Sequence, residues 1–473
     1  MKVSHNWLKT LVDIHSTHDE LSEKLSIGGF EVDNLHDCSK NVFGVVLGKV
    51  LKVEKHGDSE KLSICSVKTG NNNNLQIVCG ANNVKSNIYV YVATVGAHLN
   101  AIDLTIKSSQ IRGILSEGMI CSLQELGLED SSEGIAIVDE NIAIKHALGT
   151  PVAEILDLND FIYDLAITAN RPDGMSVVGI AREISSLLET NIYLPEINHK
   201  YKIKLLKNID LCSAAITSNC LYTITSVDDV DGTKLSPSWI KDRLAKSGFK
   251  SINLLVDLTN YILLEQGQPL HAFDKDKLSN LIGRDVFPND FSVRKAKNNE
   301  SLLCLDGKDY NLNENITIVT CADIPVAIAG VIGGLETSVS NKTSSIYIEG
   351  AVFNPVSIRR SSKEIGVRTE SSSRFEKGIS YKNTIDSVTR AINLIEEFFG
   401  DKSASIYISH EIKDEDKFIK LRRDRIHKIL GPLLINNDQY HENTNNVIRY
   451  LTDQEIIDKL ILIGCTLESK DYG

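Results

Sequence analysis

The chain has 473 residues, room for roughly three domains, and its 42% hydrophobic and 24% charged residues are the balance of soluble globular protein. A net charge of −12 argues against a protein that coats nucleic acid through a general positive field, so any RNA contact must rest on local segments. No stretch approaches the roughly 18 uninterrupted apolar residues of a membrane helix, and Met1 to Trp7 lacks an apolar signal core, so a cytoplasmic protein without membrane contact is expected.

In chain order, residues 1–40 read as a small α/β element. Thr17 and Glu20 form a capping box, Leu21 and Leu25 follow at helical spacing, Gly28-Gly29 ends the helix, and Phe30 to Asp33 alternate as a strand. From about 43 to 125 the texture changes to short β runs at 45–47, 50–53, 62–67, 75–78 and 89–93, with a turn at Gly70 to Asn74. Such a series predicts a small closed barrel of the OB type. Six lysines against three acids between 40 and 70 favour a local RNA contact, whereas the few aromatics there (Phe43, Tyr89, Tyr91) do not favour a stacking platform. Helix returns at 150–195, with Ile180, Ile184, Leu187 and Leu188 on one face.

A long mixed α/β region then runs to about 400. It is expected to hold a helix capped by Ser236 with Pro237 in its first turn, and a second helix through Leu254 to Ile262 that breaks at Gly267-Gln268-Pro269. Strands at 302–305, 316–320 and 345–353 precede a helix through Ile385 to Phe399, closed by Gly400. The last stretch has a basic run from Lys417 to Lys428 and a helix capped by Thr452 and Glu455. Cys465 to Glu468 then reads as a strand without a partner, which gives the end the look of a cut. The expected fold class is α+β multidomain. A discontinuous N-terminal α/β domain (1–40 and 150–195) carries an inserted OB-like barrel (41–149). A mixed α/β module (200–402) and an incomplete small helical or winged domain (415–473) follow.

Nine cysteines, odd in number and without a Cys-x-x-Cys pair, are expected to be free thiols, and no metal site is assigned. His271 and Asp274 lie close in sequence, but twelve histidines make one such pair unsurprising. Gly330-Val331-Ile332-Gly333-Gly334 fits neither phosphate-loop pattern and reads equally well as a tight turn. A group of polar residues at element ends remains. Asn260 lies in an apolar helix, His271 just past its break, and Glu349 at the end of the strand Ser345 to Ile348, opposite Ile346 and Ile348. Thr369 stands before Ser371 to Arg374. Spacing alone leaves two readings open, a convergent site or a solvated face.

Val46 to Val50, Glu60 to Cys65, Gln76 to Asn83 and Ser116 to Ser122, the first of a series of ordered motifs along nearly the whole chain, resemble the tRNA-binding OB-like domain of bacterial phenylalanyl-tRNA synthetase beta subunits. Thr168 to Asp173 with Gly179 to Glu183 resembles that family's first domain resuming after the insertion. Val256 to Tyr261, Gly267 to Asp274 and Arg368 to Gly378 resemble the central editing module. The resemblance implies an alpha2-beta2 enzyme. Its alpha subunit would attach phenylalanine to tRNA(Phe) with ATP and Mg2+, and the beta subunit would bind tRNA and hydrolyse Tyr-tRNA(Phe). By the same resemblance, Glu349 would recognise the tyrosine hydroxyl as a carboxylate acceptor, and His271, Asn260 and Thr259 would line the reacting centre. Gly333, Thr369 and Ser371 would shape the substrate pocket, with His271 as positioning group or weak base.

A pocket shaped for phenylalanine discriminates poorly against an added hydroxyl, whereas a second site with an acceptor for that hydroxyl discriminates well. Two departures stand out: Ser371 where the family has alanine, which puts editing strength in question, and His56-Gly57 for His-Pro. The family continues beyond the matched segment, so the chain is expected to be the front part of such a subunit. ATP and Mg2+ are then assignable to the whole complex and to no residue here. A binding scaffold without hydrolysis and a free-standing RNA-binding regulator are the competing readings.

Overall fold

Local chemistry sets the element boundaries. Thr17 and Glu20 do form the capping box that opens the helix His18–Ile27, and Leu21 and Leu25 are its buried residues. The structure, a computed structural model, describes residues 1–70, 74–207, 220–410, 418–435 and 447–468. Asn71 to Asn73 of the expected turn, Cys212 and Lys417 lie outside them. The eight described cysteines are free, and burial pushes Cys65, Cys121, Cys304 and Cys321 up to about 12, which keeps them protonated.

One compact unit is Leu35–Ile162. Its main sheet is antiparallel in the order Gly118–Ile120, Tyr89–Thr94, Val45–His56, Ser59–Lys68, Asn74–Cys79, and Ile137–Val138 also pairs with Tyr89–Thr94. The runs expected at 45–47 and 50–53 are one twelve-residue strand. Gly48 lies within it because a Cβ there would come 2.7 Å from Val92 and 3.0 Å from Val67. The two ends of the sheet are tied together. Glu117 N donates to Gln76 O at 2.8 Å, Gln76 Nε2 to Leu115 O at 2.8 Å, and Val78 N to Ser116 Oγ at 3.1 Å. The result is a nearly closed barrel around Val50, Cys65, Val67, Ile77, Val90, Val92 and Ile120.

The other unit comprises Met1–Asn34 and Tyr163–Gly473. Trp7 stacks on Tyr261 with ring centroids 5.2 Å apart, and buried Arg374 donates to Met175 O at 3.1 Å, so the N-terminal segments and the 220–400 region share packing. The central sheet has the order Lys202–Leu205, Ser405–Ile408, Leu221–Val227, Ile346–Val352, Leu270–Asp274. One of its faces is covered by the helix Tyr381–Phe399: a Cβ on Gly350 would meet Val388 at 2.6 Å. The helix Leu254–Gln266 is joined to that layer by Asn383 Nδ2 to Gln266 O at 2.9 Å and by the Arg390–Glu265 pair at 3.2 Å. The other face packs against a four-stranded sheet, Phe291–Lys295, Thr317–Cys321, Ile324–Ile328 and Ile332–Gly333, through Phe273, Phe291 and Tyr347.

Three local expectations change. Pro237, not Ser236, is the N-cap of Ser238–Lys246, and the Ser236 hydroxyl donates to Asp257 Oδ2 at 2.5 Å instead. The strand expected at 345–353 is Ile346–Val352, and Glu349 lies in its interior rather than at the end of a shorter run. Cys465 to Glu468 form no strand.

Candidate functional site

Cross-strand register builds the site. His271 stands directly opposite Glu349 in the pairing of Leu270–Asp274 with Ile346–Val352, and Ile224 faces Glu349 from the other side. Directly paired residues share a face, so Tyr222, Ile224, His271, Phe273, Tyr347, Glu349 and Ala351 all point toward the second sheet. His271, just past the break that ends the helix, belongs to the strand Leu270–Asp274. Asp274, three residues on, points to the opposite face, where it caps the next helix through Lys277 N at 2.9 Å and accepts from Thr343 Oγ1. The two cannot share a ligand.

Glu349 is only 7% exposed, and the phenol of fully buried Tyr222 donates to its Oε2 at 3.2 Å. Burial pushes the Glu349 carboxyl up to about 8, partly offset by the Tyr222 hydrogen bond. At neutral pH it is therefore mainly the neutral acid, not the carboxylate that the sequence suggested. It still accepts at its carbonyl oxygen and gains a donor. Burial also holds Tyr222 well above the usual phenol range, so its hydroxyl remains a donor.

The His271 ring lies edge-on to Phe273 at 4.4 Å, and its Nε2 is enclosed without a hydrogen-bond partner among the described residues. Burial pushes it down to about 4, so the imidazole is neutral at pH 7. Gly333 borders the ring: a Cβ there would come 2.3 Å from Cε1 and 2.7 Å from Nε2. The steric need for glycine at 333 is thus the room taken by the imidazole itself. Thr369 is tied to the same loop, its Oγ1 donating to Val331 O at 2.8 Å while accepting from Ser372 N at 3.1 Å as the N-cap of Glu370–Phe375.

The structure therefore brings together His271, Glu349 and Gly333, with Thr369 anchored two residues before Gly333. Ser371 is half-buried in the first turn of the Thr369-capped helix. Thr259 and Asn260 belong to the helix layer on the other face of the central sheet, both half-buried, and Thr259 spends its hydroxyl on Val256 O at 2.7 Å. Neither bonds to His271 or Glu349. Tyr222 is the residue that sequence reasoning missed. Its only signal is the alternation of Leu221–Val227, which does not announce a partner 127 residues away.

Two family models match the chain. One, described as "B3/4 domain", covers residues 218–400, and one described as "Putative tRNA binding domain" covers 45–146. The phenylalanine–tRNA ligase beta subunit of Prochlorococcus marinus (strain MIT 9312) is 72% identical over all of this chain and 57% of the relative. That of Prochlorococcus marinus subsp. pastoris is 70% identical over all of this chain and 58% of the relative. The chain belongs to the phenylalanine–tRNA ligase beta subunit family. It spans a little over half the length of these relatives. Within the family match, the barrel coincides with the tRNA-binding model and the His271–Glu349 sheet with the B3/4 model. Among solved structures, an N-terminal fragment of the phenylalanyl-tRNA synthetase beta-subunit from Pyrococcus horikoshii aligns at 16% identity and a TM-score of 0.28. That alignment covers 64% of this chain and 87% of the fragment.

Proposed function

We propose that this chain contributes tRNA(Phe) binding and hydrolysis of Tyr-tRNA(Phe) to an enzyme whose alpha subunit attaches phenylalanine using ATP and Mg2+. Neither cofactor is assigned to a residue of this chain. The observation that carries the hydrolytic reading is the buried Glu349 carboxyl with a phenol already hydrogen-bonded to it, cross-strand from a neutral histidine. Tyr222 demonstrates that this carboxyl holds a phenolic O–H in a dry setting. A phenylalanyl ester would leave the other carboxyl oxygen, Oε1, unpaired, a loss that a binding site for tyrosine converts into selectivity.

Ester hydrolysis needs a water directed at the carbonyl carbon and a polarised carbonyl, not a covalent nucleophile. A histidine near 4 is a weak base at pH 7, since efficient proton acceptors lie near the working pH. His271 is therefore assigned to orienting water or the ester by hydrogen bonding, with Gly333 keeping space beside it. Thr369 holds the 331–333 loop and Ser371 is assigned to the pocket margin, whereas Thr259 and Asn260, on the other face of the central sheet, are given no part in it. Incubating the purified chain with Tyr-tRNA(Phe) should release tyrosine, and Glu349→Ala should weaken that release. An unaltered rate in the variant would overturn the assignment of Glu349.

A further inference from the structure

We propose that Tyr222 is a positioning residue for substrate selection: its phenol clamps Oε2 of Glu349 so that Oε1 is presented to the hydroxyl of the tyrosyl ester. The inference rests on the hydrolytic reading above and assigns a residue to it. Glu349 has one hydrogen-bonding side-chain neighbour among the described residues, Tyr222, and that neighbour is fully buried in the strand Leu221–Val227 of the central sheet. The carboxyl's strand neighbours on either side, Ile224 and His271, offer no competing bond to it in the structure. A carboxyl held at one oxygen has its rotation about the last side-chain bond fixed, and its second oxygen then has a defined direction.

Without the clamp the carboxyl would be free to turn, and a tyrosyl substrate would have to order it on binding. The alternative, that Tyr222 merely fills the core and satisfies its own hydroxyl at the nearest acceptor, predicts no effect on selection. The Tyr222 hydroxyl also acts against burial in setting the proton affinity of Glu349, so its removal pushes that carboxyl further above 8.

Tyr222→Phe deletes one atom from the core and is the test. Steady-state hydrolysis of Tyr-tRNA(Phe) and Phe-tRNA(Phe) would be followed from pH 6 to 9, with uncatalysed hydrolysis subtracted. The expected result is a KM for the tyrosyl ester raised roughly three- to tenfold, the effect of one hydrogen bond. kcat should stay within about twofold, because the clamp orders the Glu349 carboxyl rather than the reacting atoms. The pH near 8 at which the parent's KM changes should move upward. An unchanged KM and an unmoved pH dependence in a variant that still hydrolyses would show Tyr222 to be packing alone. A parent chain that hydrolyses neither ester would instead sink the hydrolytic reading, and this inference with it.

Discussion

Glu349→Gln keeps the length of the side chain and an acceptor for Tyr222 but removes the titrating proton, so it isolates the cost of ionising a buried carboxyl. In the folded chain that carboxyl is pushed up from 4.5 to about 8 by burial. Between those values the folded state binds more protons than the unfolded one. The contribution of Glu349 to stability is thus fully present below about pH 4 and is lost as pH rises through about 8. A gap from 4.5 to about 8 corresponds to about 5 kcal/mol at most. Stability in a chain of several units is read best locally, by hydrogen exchange of the Ile346–Val352 amides in parent and variant at matched pH. Protection in the variant should rise relative to the parent from pH 5 to about pH 8 and level off above it. A difference that is flat across this range would mean that Glu349 ionises like an exposed carboxyl, and the argument from burial would fail.

His271→Gln should show the opposite slope. The imidazole is pushed down to about 4 from 6.5, so its penalty appears as pH falls from 6.5 toward 4, by up to about 3 kcal/mol, and acid unfolding followed by circular dichroism should be less steep in the variant. Gly333→Ala places a Cβ 2.3 Å from the His271 ring. It should cost about 1–3 kcal/mol in urea unfolding and lower tyrosine release at least about tenfold, whereas normal release would show that the ring need not stay where it is. In the barrel, Ser116→Ala leaves Val78 N without its 3.1 Å acceptor and Gly118 O without its donor. It should cost about 1–3 kcal/mol and weaken tRNA retention on a filter through loss of barrel closure.

Much of the fold was legible because its signals are local. Thr17 with Glu20 and Thr452 with Glu455 cap helices through side chains three residues away, and Gly267 ends its helix with a φ of +75°. Alternation put Glu349 on the face opposite Ile346 and Ile348, and the strand register agrees. What escaped depends on distant partners. Ser236 looked like a cap until Asp257, 21 residues later, claimed its hydroxyl. The runs at 45–47 and 50–53 looked separate because the side chains that crowd Gly48 between them, Val92 and Val67, come from other strands. The protonation of Glu349 was illegible for the same reason, since burial is a property of the packed sheets and not of the neighbours in sequence. Of the candidate site, the residue types were readable; the pairing of His271 with Glu349, and the Tyr222 phenol between the sheets, were not.

The central claim is that this chain distinguishes a tyrosyl from a phenylalanyl ester by a hydrogen bond to the buried Glu349 carboxyl. Initial rates of amino acid release from Tyr-tRNA(Phe) and Phe-tRNA(Phe), measured side by side with the purified chain at pH 7, test it most directly. The tyrosyl ester should be hydrolysed roughly 10- to 100-fold faster, the ratio expected for one buried hydrogen bond made or left unmade. Equal rates for the two esters, or release from neither, would contradict it.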